Sequence, residues 1–512
     1  MTDWTAGYVA DIDYTFGYYA ELNPLRAKLA FLEAGLVPPK LGTHCELGFG
    51  QGLSVNMHAA ASGSTWYATD FNPAQAGFAQ SVALASGADA HIFDDAFADF
   101  CARTDLPDFD SIGLHGIWSW ISDENRSVIV DFIRRKLKVG GVLYISYNTQ
   151  PGWAAFSPMR HLMIEHAEKL GAKGHGILHR VGGALDFAEK LLSTHPAYAK
   201  ANPQIAQRIA KIKGQNRHYL AHEYFNRDWL PMHFATMAEW LSPAKLSYAC
   251  SANYLDHVDA LNLTREQQTL LKELPDAMFR ESVRDFMTNQ QFRRDYWVKG
   301  LRKLNSLERN ETILQQRLLL VAPRPDVSLV VNGPGGGKAT MSEAIYNPIL
   351  DLLSDHQARK LGEIALALRG QRISHNQMLE AMTVLVGQGH LAAVQEDAQI
   401  AKAKQSTHKL NLHLIDKARS SSDINSLASP VTGGGIAVER FQQLFLLAIS
   451  QGQQQPGEWT QFVWQTLVAR GQKIVKEGKP LESAEDNIAE LGQIANSFAE
   501  KRLPVLKALQ IA

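Results

Sequence analysis

The stretch ELGFGQG, residues 46 to 52, constrains this chain more than any other. It follows a short apolar run and precedes the helical pattern LSVNMHAAAS, so three glycines fall at a strand-to-helix turn. Glycine there lets a ligand approach the backbone closely. A dinucleotide site wants G-x-G-x-x-G, which after Gly48 and Gly50 requires glycine at position 53, where Leu53 stands. Instead an acid, Glu46, lies two residues ahead of a G-x-G-x-G run, and Asp70 closes the next strand eighteen positions beyond Gly52. A carboxylate so placed accepts hydrogen bonds from two vicinal hydroxyls, and the pattern therefore predicts a ligand with a free ribose.

Around this turn, residues 41 to about 147 alternate short apolar runs with helical stretches, the mark of a parallel α/β sheet. The strands predicted are THCELG, TWYATD, DAHIFD, FDSIGLHG and GGVLYISY. The helix ENRSVIVDFIRRKLKVGG is expected to end at Gly140 and Gly141. Helical periodicity over 159–245 predicts an insertion in this first domain, with a returning strand in AKLSYACSAN, and a further helical stretch runs to about 304. Beyond it, 305–400 reads as three helices and an apolar hairpin resembling a winged helix, and 401–512 as a C-terminal helical region. With 512 residues, two to four domains are expected.

Composition narrows the class. Lys and Arg (51) balance Asp and Glu (52), so net charge points to neither a nucleic acid nor an anionic membrane. Three scattered cysteines fit neither a disulfide framework nor a zinc site, and a reducing cytoplasm is the expected location. No leader or membrane-spanning run is read in the sequence.

The order of these signals resembles the class I S-adenosylmethionine-dependent methyltransferases over roughly residues 41 to 150. The resemblance implies a Rossmann-like fold with S-adenosylmethionine as cofactor. Glu46, Gly48, Gly50 and Gly52 would then hold its methionine and ribose, and Asp70 the ribose hydroxyls. FDDAF would supply Asp94 or Asp95 to the adenine amino group, with Phe71 or Ala96 on the ring face. HGIWSWI, YNTQPGW and ESVRDFMTNQQFRRDYW further resemble bacterial methyltransferases that carry a methyltransferase regulatory domain, here at about 215–300 within a 1–304 catalytic domain. The best-known members methylate lysines of rickettsial outer membrane proteins, so a protein lysine is the implied acceptor. The opening DIDYTFGYYAELNPLRAKLAFLEAGLVPP departs from the usual start of the rickettsial enzymes.

Methyl transfer from a sulfonium is an in-line displacement, and the protein must hold a lone pair against the methyl carbon and shed water. Trp118, Tyr147, Asn148 and Trp153 lie at or just beyond the ends of the fourth and fifth strands and are the candidates for the acceptor side. His115 is read as a cofactor contact or a base, and Tyr14 to Tyr19 as a lid. A small-molecule acceptor, or a cofactor-sensing module that binds a partner through the C-terminal domains, stays open, as does association of two chains. No metal is expected: HYLAHE has Tyr219 where a zincin needs Glu. NGPGGGKAT fails the P-loop register at Asn332 and Ala339 and reads as a flexible connection. The basic cluster RRDYWVKGLRK reads as a solvated helix face.

Overall fold

Two of the strand-to-helix turns, at Asn72 and at Ser122, are written in capping chemistry. The computed structural model describes residues 14–40, 42–171, 174, 176–333 and 338–512. After α1 (Pro24–Glu33) come β1 (Thr43–Leu47), α2 (Leu53–Ser62), β2 (Thr65–Thr69), α3 (Pro73–Ser86), β3 (Ala90–Phe93), α4 (Phe97–Ala102), β4 (Phe109–Leu114), α5 (Asp123–Lys136) and β5 (Leu137–Asn148). At α3, Asn72 accepts from the amides of Ala74 and Gln75, Pro73 occupies the first turn, and Gly87 ends the helix in the left-handed region. At α5 the Ser122 hydroxyl accepts from Asn125, acids fill the first turn, and Arg134, Arg135 and Lys136 sit at the carbonyl end.

Six helices then intervene: α6 (Ser157–Lys169), α7 (Ile177–Ser193), α8 (Ala197–Ala201), α9 (Ile205–Lys213), α10 (Arg217–Tyr224) and α11 (Phe234–Leu241). Buried side chains from Trp153 to Tyr224 give most of this layer a core of its own. The chain returns as β6 (Leu246–Ser251), passes through α12 (Asp259–Asn262), α13 (Arg265–Glu273) and α14 (Ala277–Thr288), and ends the sheet with β7 (Phe292–Lys299). The sheet order is β3-β2-β1-β4-β5-β7-β6. Strands β1 to β5 are parallel, and β7 runs antiparallel to both β5 and β6. Strand order reverses beside β1, so the crevice lies at the carboxyl ends of β1 and β4.

Two expectations fail here. Gly140 and Gly141 do not cap α5; the chain is already extended at Leu137, and the glycines lie in β5 near a register shift against β4. Residues 292–299 are neither helical nor a solvated face but a strand between β5 and β6, with Arg293 only 5% exposed. The Arg293 guanidinium is met by Glu281, Asp285 and Asp295 at 2.6–2.9 Å, which is how a charge-rich sequence occupies the interior of a sheet.

The rest of the chain packs onto this domain. Residues 313–391 share a core with α1, through Phe31, Leu32, Ile349 and Leu385. The expected hairpin after the third helix is absent; Leu391–Ala393 is a single strand pairing antiparallel with Arg317–Leu320, which also pairs with Arg359–Lys360. The strands Val330–Asn332 and Lys338–Thr340, at the two ends of NGPGGGKAT, pair antiparallel, and residues 334–337 lie outside the described residues.

Helix α2 is buried on every side, and the C-terminal region encloses it. Its last carbonyls have no partner within the helix. Ser406 and Thr407 donate to Ala60 O, Gln395 to Ala61 O, and Lys402 to Gly63 O. The hairpin Ser426–Ser429 with Gly434–Ala437 lies against Tyr18; a Cβ on Gly435 would stand 2.8 Å from the Tyr18 ring. Among the described residues no helix is long and apolar enough to cross a membrane.

Gly52 has φ +70°, and a Cβ there would sit 2.5 Å from the Cβ of Ala79. Gly52→Ala is expected to destabilise by about 2 kcal/mol or more. Gly77, in α3 with nothing within 4 Å of a built Cβ, is the control: Gly77→Ala should stabilise by about 0.5–1 kcal/mol. Thermal unfolding of the two variants checks both signs.

Candidate functional site

Gly48, at the carboxyl end of β1, holds φ +72°, where a Cβ would fall 2.4 Å from Ile117 Cδ1. Gly50, at φ +59°, lies under the ring of Tyr14, 3.3 Å from a built Cβ. Two acids flank this turn. Asp70 accepts from Gly50 N at 2.8 Å through one oxygen and from Asn72 N at 3.1 Å through the other. That fixes the plane of the carboxylate and leaves lone pairs on both oxygens. Glu46 is 2% exposed, and its Oε2 has no hydrogen-bond partner among the described residues. Burial, reinforced by the Asp70 charge, pushes the Glu46 carboxyl up to about 8. Burial likewise pushes Asp70 up to about 6, against the two amides that lower it.

The pocket over this turn is lined by Gly48, Phe49 and Gly50, by Asp70, Phe71 and Gln75, and by Ala96 to Ala98 from the start of α4. Its opposite wall comes from Tyr14, Tyr19, His115 to Ile117 and Trp120 to Ser122, with Asn125 and Asp228 at the side. Tyr19 stacks on His115 with ring centroids 3.6 Å apart, and His115 Nδ1 lies 2.8 Å from the Tyr144 hydroxyl. Burial holds His115 down at about 4, so the imidazole is neutral. The residues preceding Tyr14 lie outside the described residues.

The structure brings together Gly48, Gly50, Asp70, Phe71, Ala96 and His115 from the sequence-derived set. Glu46 lies beneath the turn rather than on the pocket wall. Gly52 caps α2 and admits α3, a packing role. Asp94 is exposed, and Asp95 pairs with Arg103 while its carbonyl accepts from Thr69; neither lines the pocket.

The four acceptor-side candidates are placed elsewhere. Trp118 is fully buried with its indole against Met232 Sδ. Tyr147 donates to Asp295 at 2.9 Å inside the sheet. Trp153 belongs to the helical layer, donating to Gln291 O under the Arg208 guanidinium. Asn148 bonds through its backbone to Ser119 and Met232; its Nδ2 is buried without a partner among the described residues. The end of β5 is taken up by β7 and the helical layer, Trp118 after β4 is held against Met232, and the aromatic rings on the pocket wall include Tyr14, Tyr19, Phe49, Phe71, Phe97 and Trp120. Sequence reasoning missed Gln75, Asn125 and Asp228 as pocket residues; only the Ser122 cap, which fixes the start of α5, hinted at Asn125. Among the described residues no group of three or more His, Cys, Asp or Glu side chains is placed to hold a metal.

This seven-stranded order, with an antiparallel β7 between β5 and β6 and a glycine turn after β1, is the fold of the class I, S-adenosylmethionine-dependent methyltransferases. A family model described as a predicted methyltransferase regulatory domain matches residues 216–299, from α10 to the end of β7. The uncharacterized protein sll1526 of Synechocystis is 41% identical over 514 residues, covering 99% of this chain and 100% of its own. Protein RP789 of Rickettsia prowazekii is 28% identical over 221 residues, 42% of this chain and 38% of its own. The structure of PKMT2 from Rickettsia typhi, also solved in complex with AdoHcy, matches with a TM-score of 0.68 at 17% identity, over 98% of this chain and 100% of that one. The chain belongs to the family of the Synechocystis protein.

Because the folded value of Glu46 is raised, the neutral acid favours the fold; that stability is complete below about 4.5 and is lost as pH rises through about 8. Glu46→Gln is therefore expected to melt with wild type at pH 5 but about 3 °C or more above it at pH 9 in the absence of ligand. Calorimetric melting at the two pH values checks this.

Proposed function

We propose that the protein is an S-adenosylmethionine-dependent methyltransferase that N-methylates lysine side chains of a protein substrate. The observation carrying this reading is the pair of buried acids at one glycine turn. Glu46 keeps an unpartnered carboxyl oxygen suited to an ammonium, and Asp70 is held by two amides in an orientation suited to a ribose diol. The close approach of backbone at Gly48 and Gly50 leaves room there that any side chain would fill. Phe71, Ala96 and Phe97 offer an apolar slot for a base.

Held by Glu46, Gly48, Gly50 and Asp70, the cofactor would supply an electrophilic methyl group on sulfonium. The chain's own task is to deliver a neutral amine. Tyr14, Tyr19 and Trp120 wall the pocket with rings that tolerate a cation, and by excluding water they lower an amine's pKa. Neutral His115 has its Nδ1 engaged with Tyr144, which fixes the ring's orientation against Tyr19. We assign the acceptor side to Tyr14, Tyr19, His115 and Trp120. The likeness to PKMT2 over nearly the whole chain supports a protein acceptor.

Incubation of the full chain with radiolabelled S-adenosylmethionine and fractionated lysate tests this reading. Label is expected in protein, recovered as methyl-lysine after hydrolysis, and Asp70→Ala is expected to weaken cofactor binding roughly 10- to 100-fold. Label confined to small metabolites would reject a protein substrate.

A further inference from the structure

A second cavity, of about 370 Å³, opens between α1, β6, α14 and β7 and shares no lining residue with the cofactor pocket. Most of its walls fall within residues 216–299. Its charge is unbalanced. Arg293 serves Glu281, Asp285 and Asp295, and Arg284 serves Asp259 and Glu281, so two guanidiniums meet four carboxylates. The third guanidinium on the wall, Arg294, is turned to Glu21 at 2.6 Å. Asp259 is half-exposed, but the enclosed carboxylates of Glu281, Asp285 and Asp295 still share two guanidiniums, and such a surplus away from water is costly unless a further cation or protons balance it.

The unmet groups are acceptors. Asp285 is 3% exposed; its Oδ1 takes Arg293 at 2.6 Å, while its Oδ2 has no partner among the described residues. Glu33 Oε2, 3.6 Å from His257 Nδ1, and Asn262 Oδ1 are buried on the same cavity without a hydrogen bond among the described residues. Burial pushes Asp285 up to about 7 and raises Glu33 and Asp295 as well. The oxygens are too dispersed for a metal, since no metal-type cluster occurs among the described residues. They suit a donor group with several N–H bonds on a flexible stem.

We propose that this cavity binds a small organic cation, an aliphatic amine whose ammonium is seated at Asp285 and Glu281. The cavity volume lies in the range of small-molecule sites. The site is independent of the acceptor chemistry proposed above, and its test does not use methyl transfer.

The full chain is titrated with spermidine and with Nα-acetyl-lysinamide by calorimetry, with magnesium chloride at matched ionic strength as the control. Saturable heat from spermidine is expected, reduced roughly tenfold or more in Asp285→Asn. Tighter binding of spermidine assigns a free amine; tighter binding of Nα-acetyl-lysinamide assigns a protein side chain, and either supports the site. Asp259→Asn, at a half-exposed rim position, provides a second variant and should also weaken binding, with an unchanged unfolding transition showing that it folds. No heat at millimolar amine, an equal response to magnesium, or affinity unchanged in both variants would overturn the proposal.

Discussion

The buried guanidinium of Arg293 is the interaction on which the molecule's arrangement rests. It draws together three carboxylates from α14 and β7, and removing any one side of such a buried cluster costs about 3–5 kcal/mol. With it, a charged strand lies between two apolar neighbours. Asp295 then reaches across to Tyr147 on β5, and the next residue, Arg294, reaches back to Glu21. Tyr296 donates to the carbonyl of the same Glu21. The strand that completes the sheet thus also fixes the segment that covers the glycine turn.

At the turn itself the physics runs the other way: charge is left unsatisfied. Glu46 and Asp70 are buried close enough that the charge of Asp70 raises Glu46, and among the described residues no cation hydrogen-bonds to either. Such a pair is a liability in an empty protein and an asset toward a cationic nucleoside, so instability and affinity share one origin. The neighbouring aromatics contribute in a different way, by excluding water rather than by carrying charge.

Much of this was legible in the sequence because it is local. Gly48, Gly50 and Asp70 announce themselves by spacing along a strand and a turn, and β1 to β5 by alternation. What was not legible depends on distant partners. FRRDYWVK looks solvated until Glu281 and Asp285 are brought to it, and Trp118, Tyr147 and Trp153 look like site walls until β7 and the helical layer claim them. Tyr14 and Tyr19 precede the sheet by more than twenty residues, and only the fold carries them to the crevice. The cap at Gly140 failed for a subtler reason: two glycines mark a bend in a strand as readily as a helix end.

Tyr18 is wedged beneath Gly434 and Gly435, its hydroxyl on His58, and the Ser429 hydroxyl of the same hairpin donates to the carbonyl of Leu509. The ribosome delivers the cofactor turn early, but the hairpin that seats its cover follows far along the chain, at Gly434 and Gly435. A nascent chain therefore carries an open, unfinished crevice until that hairpin is made, and the region that bears it acts as a closing step of assembly rather than as an appendage.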